Sequence, residues 1–234
     1  MKKLSIIIPV YNEKNTISEI LKRIEAVRLG GLEKEIIIID DFSNDGTREM
    51  LKRLNNYKII FQENNIGKGR AVKRGFEEAS GDIILIQDAD LEYDPEDYSK
   101  LIKPILSGQA DVVYGSRFLK SDASLQNKIV YRRGYFFSRF LNWLSNTLNG
   151  LSLNDTYTCY KVFSKEAVQK VTPAVKSARF GIDPELTALV AKNQFRIMEI
   201  PIGYQGRTYQ EGKKINWKDG LAAIFHIIRF NIFQ

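Results

Sequence analysis

Two aspartates, Asp88 and Asp90, stand one residue apart at the end of the apolar run Ile83-Ile84-Leu85-Ile86-Gln87. If that run is a β-strand, side-chain alternation sends both carboxylates to one side at its end. No histidine or cysteine lies near them in the sequence. An all-oxygen pair of this kind suits Mg²⁺ or Mn²⁺ bridging phosphate oxygens better than Zn²⁺. Asp-X-Asp alone says little, since most such pairs are turns or solvated faces. What strengthens the reading is a second acidic pair, Asp40-Asp41, at the end of another apolar run.

The elements that must position these acids are legible as alternating patterns. Leu4–Val10 and Glu35–Asp40 are nearly continuous apolar runs of strand length, as expected when both faces of a sheet are covered. Lys58–Phe61, Ile83–Gln87 and Asp111–Tyr114 read as further strands. Helical patterns fall between them at about 16–28, 46–55, 68–79 and 95–106. Asp94-Pro95-Glu96 supplies a cap followed by proline at the first helical position. Strand and helix in alternation predict an α/β fold with a mostly parallel sheet, whose ligands sit beyond the carboxyl ends of the strands. Both acidic pairs fall at such ends. The second half is less regular. Residues 133–148 read as a helix rich in aromatics, 160–164 and 195–204 as strands, and 217–233 as a final amphipathic helix. Asp183-Pro184-Glu185 repeats the cap-then-proline start.

The 234 residues fit one catalytic domain, divided by charge rather than by a linker. Residues 1–115 carry net −3 and residues 116–234 net +10. A basic second half is expected to face something anionic. Nucleic acid is not the expected partner, because no dense basic run or zinc spacing appears. The single cysteine, Cys159, forbids an intrachain disulfide and fits a reducing compartment. Lys2-Lys3 before Leu4–Val10 imitates a secretion signal, but the apolar run is too short and no small-residue cleavage site follows. No run reaches the roughly 18–20 apolar residues of a membrane span.

Several motifs stand in a definite order. Ser5-Ile6-Ile7-Ile8-Pro9-Val10-Tyr11-Asn12-Glu13 opens the chain, and Ile39-Asp40-Asp41-Phe42-Ser43-Asn44-Asp45-Gly46-Thr47 follows the second strand. Asn65-Ile66-Gly67-Lys68-Gly69, Gln87-Asp88-Ala89-Asp90 and Gly115-Ser116-Arg117 come after. Together they resemble the family 2 glycosyltransferases of GT-A fold. Within that family, Asp155-Thr156-Tyr157-Thr158-Cys159-Tyr160-Lys161-Val162-Phe163 and Arg207-Thr208-Tyr209-Gln210-Glu211-Gly212-Lys213-Lys214 resemble segments of the dolichol-phosphate (polyprenyl-phosphate) mannosyltransferases. Gly67-Lys68-Gly69 lacks Walker spacing, so an NTPase is disfavoured. Processive polysaccharide synthases resemble chains with a Gln-X-X-Arg-Trp motif and membrane spans, and neither is found here.

The resemblance implies a Rossmann-like GT-A sheet, mixed but mostly parallel, and a metal-dependent hexosyltransferase. It implies a donor-binding half at 1–115, an acceptor-binding half at 116–216 and a terminal amphipathic helix at 217–234. It places Pro9, Tyr11, Glu13, Ile39, Asp41 and Ala89 around the nucleotide, and Asp88 and Asp90 on the metal and diphosphate. Glu92 stands where many relatives have Gln as a further metal ligand. Arg117, Arg207 and Lys213 fall around the phosphates, and Arg132 and Arg133 add cations on the acceptor side. The implied partners are a nucleotide sugar and polyprenyl phosphate, at the cytoplasmic face of a membrane to which the protein is peripheral.

The chemistry is coherent from below. Breaking a sugar–diphosphate bond needs the departing negative charge stabilised, by a divalent ion and cationic side chains. An alcohol acceptor needs a general base. A phosphate monoester, with its second pKa of about 6, is already largely ionised at neutral pH and needs only to be held against the donor's charge. The arginine-rich second half therefore fits a phosphate acceptor. Mannose from GDP-mannose is the favoured donor, and glucose from UDP-glucose the close alternative. Transfer to a hydroxyl, with Asp183 and Glu185 as base and neighbour, is a further reading; Asp183 is equally a helix cap before Pro184. A membrane-associated binding protein that keeps the nucleotide site is the non-enzymatic one.

Overall fold

A computed structural model of the chain describes residues 2–119, 132–208 and 217–233, with the side chains of 132–134 and 217–219 outside that description. Seven strands form one sheet: β1 (Lys3–Val10), β2 (Glu33–Asp40), β3 (Lys58–Phe61), β4 (Ile83–Ile86), β5 (Val112–Ser116), β6 (Lys161–Ser164) and β7 (Ile197–Pro201). Their order across the sheet is β3-β2-β1-β4-β6-β5-β7. Every neighbouring pair is parallel except those made by β6, which runs antiparallel between β4 and β5. The sheet is thus mixed and mostly parallel, as the sequence implied.

Eight α-helices are described: α1 (Ile17–Ala26), α2 (Thr47–Leu51), α3 (Lys68–Glu78), α4 (Tyr98–Leu106), α5 (Arg132–Asn149), α6 (Lys165–Val171), α7 (Ile182–Lys192) and α8 (Trp217–Ile232). The continuous apolar strands are explained by cover on both faces: Leu4, Ile6, Ile7 and Ile8 of β1 are all fully buried. Helix α1 buries Ile17, Ile20, Leu21 and Ile24 at helical spacing. Helix α3 lies so close on β1 that a Cβ on Gly75 would stand 2.2 Å from a methyl of Ile7. Only a glycine allows that contact.

Some boundaries differ from expectation. The helix expected over 46–55 is the short α2 alone, since Asn55-Asn56 supplies no further apolar face to bury. The helix expected over 95–106 starts as a 3₁₀ turn, Pro95–Asp97, with the Asp94 side chain accepting from Glu96 N–H at 3.1 Å. The cap and proline stand where expected, but the first turn is tighter than an α-turn. β4 ends at Ile86, so Asp88 and Asp90 are presented by the turn after the strand rather than by strand alternation. Leu91, at φ 63°, bends the chain away behind them.

The last helix, expected to be amphipathic, is so. It packs, and it keeps an outward stripe as well. Ile227 and Phe230 are buried, and Phe230 stacks on His226 with ring centroids 5.7 Å apart. Leu221, Phe225, Ile232 and Phe233 remain exposed, as do Phe136, Phe140 and Trp143 on α5. Trp217 lies among the side chains outside the description. Among the described residues no helix is long and apolar enough to cross a membrane.

Candidate active site

β1, β2 and β4 run parallel, so their carboxyl ends share one edge of the sheet, and antiparallel β6 brings its amino end to the same edge. Val10 and Asp40 sit in register at the ends of β1 and β2. Asp41 follows, its N–H donating to Val10 O at 2.8 Å. Its carboxylate accepts from the N–H groups of Ile66 (2.9 Å) and Gly67 (2.8 Å) and from Gln62 Nε2 (3.2 Å). Gly67, at φ 97°, faces Ala178, whose carbonyl a Cβ would meet at 2.6 Å. Asp41 thus fixes the loop that leads into α3. Burial pushes its carboxyl upward, and the two N–H groups pull it back only in part.

Asp88 is held from both sides. Gln87, fully buried, accepts the hydroxyls of Tyr98 (2.6 Å) and Tyr160 (2.7 Å) on Oε1 and donates Nε2 to Asp88 O (2.8 Å). The Asp88 carboxylate is bound by Lys68 Nζ at 2.7 and 2.8 Å. Burial disfavours the Asp88 charge, but the Lys68 ammonium outweighs it and holds the carboxyl below its ordinary value. Lys68 responds in kind: burial would lower it, and Asp88 lifts it well above the usual lysine range. Burial and then Asp88 push the Cys159 thiol up, so this cysteine is an inert neighbour rather than a nucleophile.

Asp90 lies in a surplus of acid. Burial first, then the charges of Asp88 and Glu92, push its carboxyl up to about 7 against the pull of Arg207. Arg207 Nη2 is 3.0 Å from Asp90 Oδ2, its Nη1 3.4 Å from Glu13 Oε2 and its Nε 3.5 Å from Glu92 Oε1. In this arrangement no three carboxylate, imidazole or thiol groups among the described residues are gathered closely enough to hold an ion. Cations stand on the acids instead.

The other expected residues divide. Glu13 and Asp90 meet on Arg207, and Tyr11, two residues before Glu13, is exposed. Ala89 is buried in the turn between the two aspartates, and Pro9 lies in β1 opposite Ile39. The Ile39 side chain is fully buried in a small cluster with Ile37 and Ala71. Arg117 is committed to a buried partner: its Nε and Nη2 grip Asp155 at 2.7 and 2.8 Å, and it stacks over Tyr204 at 5.1 Å. Lys213, and the side chains of Arg132 and Arg133, lie outside the described residues. Glu185 is no base: fully buried, it accepts from the N–H groups of Lys176 (2.7 Å) and Ser177 (2.8 Å). Asp183 is bound by the fully buried Lys161 at 2.5 Å.

Sequence reasoning missed Lys68 and Lys161 as members of the site. Lys68 had a signal. A lysine at the first position of a helix faces the positive end of the helix dipole, and the first turn of α3 has no acid to offset it. Such a lysine needs an acid from elsewhere. Lys161 carried no local sign, because its partner comes from α7.

The seven-stranded sheet, mostly parallel with one antiparallel strand inside it, is of GT-A type. Residues 5–172 match the profile of the family described as Glycosyl transferase family 2. The chain belongs to that family. It is 41% identical over 230 residues to a dolichol-phosphate mannosyltransferase of Pyrococcus furiosus, covering 97% of this chain and 63% of that one. It is 28% identical over 216 residues to an undecaprenyl-phosphate 4-deoxy-4-formamido-L-arabinose transferase of Edwardsiella ictaluri, covering 90% and 62%. The chain thus spans under two thirds of the length of these two relatives. Among solved structures it superposes on glucosyl-3-phosphoglycerate synthase from Mycobacterium tuberculosis, in complex with Mn²⁺, UDP and phosphoglyceric acid. The TM-score is 0.74 at 19% identity, over 100% of this chain and 80% of that one. That likeness is one of fold.

Proposed function

We propose that this glycosyltransferase moves a hexose, mannose from GDP-mannose, onto polyprenyl phosphate with inversion at the anomeric carbon. The reading draws on the 41% identity to the Pyrococcus furiosus enzyme. The geometric observation that carries the acceptor half is the Lys161–Asp183 ion pair. Asp183 was the one candidate base for an alcohol acceptor, and an ammonium engages it. A phosphate acceptor has no need of that base. One of its oxygens attacks the anomeric carbon from the side opposite the donor diphosphate. The bond from that carbon to the diphosphate oxygen breaks as the new one forms.

The donor set suits a divalent ion. Asp88, Asp90 and Glu92 are hard oxygen ligands, and burial first, then the neighbouring charges of Asp88 and Glu92, raise Asp90, which a bound cation would relieve. Those three residues would hold Mg²⁺ or Mn²⁺. The ion would supply neutralisation of the departing diphosphate. Asp41 orders the loop beside the nucleotide, Arg117 braces the acceptor wall through Asp155, and Arg207 is the cation placed to meet a phosphate. A basic second half and the outward aromatic stripes on α5 and α8 favour work at the cytoplasmic surface of an anionic membrane.

The test is incubation with GDP-mannose, UDP-glucose and other nucleotide sugars, with polyprenyl phosphate or a long-chain alcohol, and mass analysis of the lipid products. Mannosyl phosphoryl polyprenol from GDP-mannose is the expected product. A glucosyl product from UDP-glucose would replace the donor, and transfer to the alcohol alone would overturn the acceptor.

A further inference from the structure

Arg207 does more than pair with one acid. One guanidinium is shared by three acids, Asp90, Glu92 and Glu13, at 3.0, 3.5 and 3.4 Å. The segment that carries it is tied to Glu92 three more times. The N–H of Arg207 donates to Glu92 Oε1 at 3.0 Å, the hydroxyl of Tyr204 to Oε2 at 2.8 Å, and the N–H of Gln205 to the Glu92 carbonyl at 2.9 Å. Both carboxylate oxygens of Glu92 are therefore in use by residues 204–207, and one oxygen of Asp90 by Arg207.

Asp90 and Glu92 are two of the three acids that would hold the divalent ion. A small ion at about 2.1 Å from an oxygen takes the space and the lone pairs that these donors now occupy. Ion and guanidinium therefore compete for these oxygens.

We propose that Arg207 is an internal counterion of the metal site. It keeps residues 204–207 closed on the acids until a divalent ion displaces it, and displacement hands the guanidinium to the acceptor phosphate. The inference rests on the reading of Asp90 and Glu92 as ion ligands. It sets an order of binding, with ion and donor first and acceptor second. It also gives the charge of Glu92 a purpose of its own. A charged side chain holds Arg207 by an ion pair that a neutral amide does not make, and the ion then inherits that charge.

Two measurements without substrate test this. The first titrates wild type and Arg207→Met with Mn²⁺, following free ion by electron paramagnetic resonance, with circular dichroism to verify the fold. Removing the competitor should lower the Mn²⁺ Kd about tenfold, within the usual span of coupling between sites. The second follows hydrogen exchange of the wild type by mass spectrometry, where Mn²⁺ should speed exchange in residues 204–207 as Glu92 lets go. Equal Kd values in two folded proteins would overturn the proposal and leave the metal site standing. Absence of Mn²⁺ binding in both would remove the metal site and the proposal together. A tighter variant, with exchange at 204–207 unchanged or slowed in the wild type, would mean plain charge repulsion and would also overturn it. If the variant misfolds, the exchange experiment decides alone.

Discussion

Asp41 in the first half of the chain and Asp155 in the second are both nearly inaccessible acids, and they are satisfied in opposite ways. Asp41 is met by main-chain N–H groups of the loop it organises. Asp155 is met by the guanidinium of Arg117, as Asp183 is met by Lys161. The two acids thus differ in what holds them: Asp41 is held by loop N–H groups 25 and 26 residues away, and Asp155 by one guanidinium together with the Arg117 N–H. A neutral donor lost from an acid leaves a modest deficit, whereas one member of a buried ion pair removed strands the other.

The largest break of this comparison falls on the acid where the two halves meet. Asp88→Ala should abolish transfer, on the order of several kcal/mol in the barrier, while the fold persists. Steady-state kcat/KM beside a thermal unfolding curve checks this, and near-wild-type turnover in the folded variant would remove Asp88 from the chemistry. Next comes stability in the basic half. Arg117→Met should destabilise the protein by about 3–5 kcal/mol in urea unfolding, because Asp155 is left buried and unpaired. The added change Asp155→Leu should restore much of that loss. A loss confined to turnover, with unchanged stability, would return Arg117 to the phosphates.

On the donor side, Asp41→Asn should weaken GDP binding about tenfold by calorimetry and cost about 1–2 kcal/mol of stability, since one loop N–H loses its acceptor. A larger stability loss than for Arg117→Met would reverse the contrast between the halves.

The pH dependence sharpens it further. Asp90 is raised to about 7 in the fold and returns to about 3.8 when unfolded. Between those values the native protein keeps a proton that the unfolded chain has released. Without divalent ion, stability should therefore fall as pH rises from about 4 to about 7, and level off above. Mn²⁺, which binds the ionised form, should reverse the slope over the same range. Thermal melts at fixed ionic strength with and without Mn²⁺ read both. The smallest effect concerns the basic surface. The protein should sediment with anionic liposomes at low salt and leave them at high salt, each nearby Lys or Arg adding about 1 kcal/mol at most. Absence of binding at low salt, with polyprenyl phosphate present, would count against work at a membrane.

The same division governs what could be read from the residues alone. β1, β2 and β4 were legible because continuous burial writes itself as an apolar run, and Asp41, Asp88 and Asp90 because they end such runs. β6 was visible as a short strand at 160–164, but its direction was not, since four residues carry no mark of the neighbours they will join. Partners were the least legible of all. Asp155, Lys161, Asp183 and Glu185 were all in view, yet which acid meets which base follows from the return of β6 and the placing of α7. Glu185 was expected as the neighbour of a base and is a cap for two N–H groups. Lys161 looked like a motif letter and is a fully buried cation.

The antiparallel strand has a consequence for how the enzyme comes into being. β6 fills a slot in the middle of the sheet, between β4 and β5. The bond from Tyr160 to Gln87 joins residues 73 apart in the sequence. Contacts of that span are slow to close. While a chain is being synthesised, β1 to β4 can pair as they emerge, but β4 then presents Ile83-Ile84-Leu85-Ile86 as a bare apolar edge, the kind most prone to adhere to another chain. The hydroxyl that completes the hold on Gln87, and so on the backbone of Asp88, arrives only with the segment that covers this edge. Competence for transfer and safety from aggregation are therefore gained in the same late step, and in refolding, activity returns after the bulk of the secondary structure.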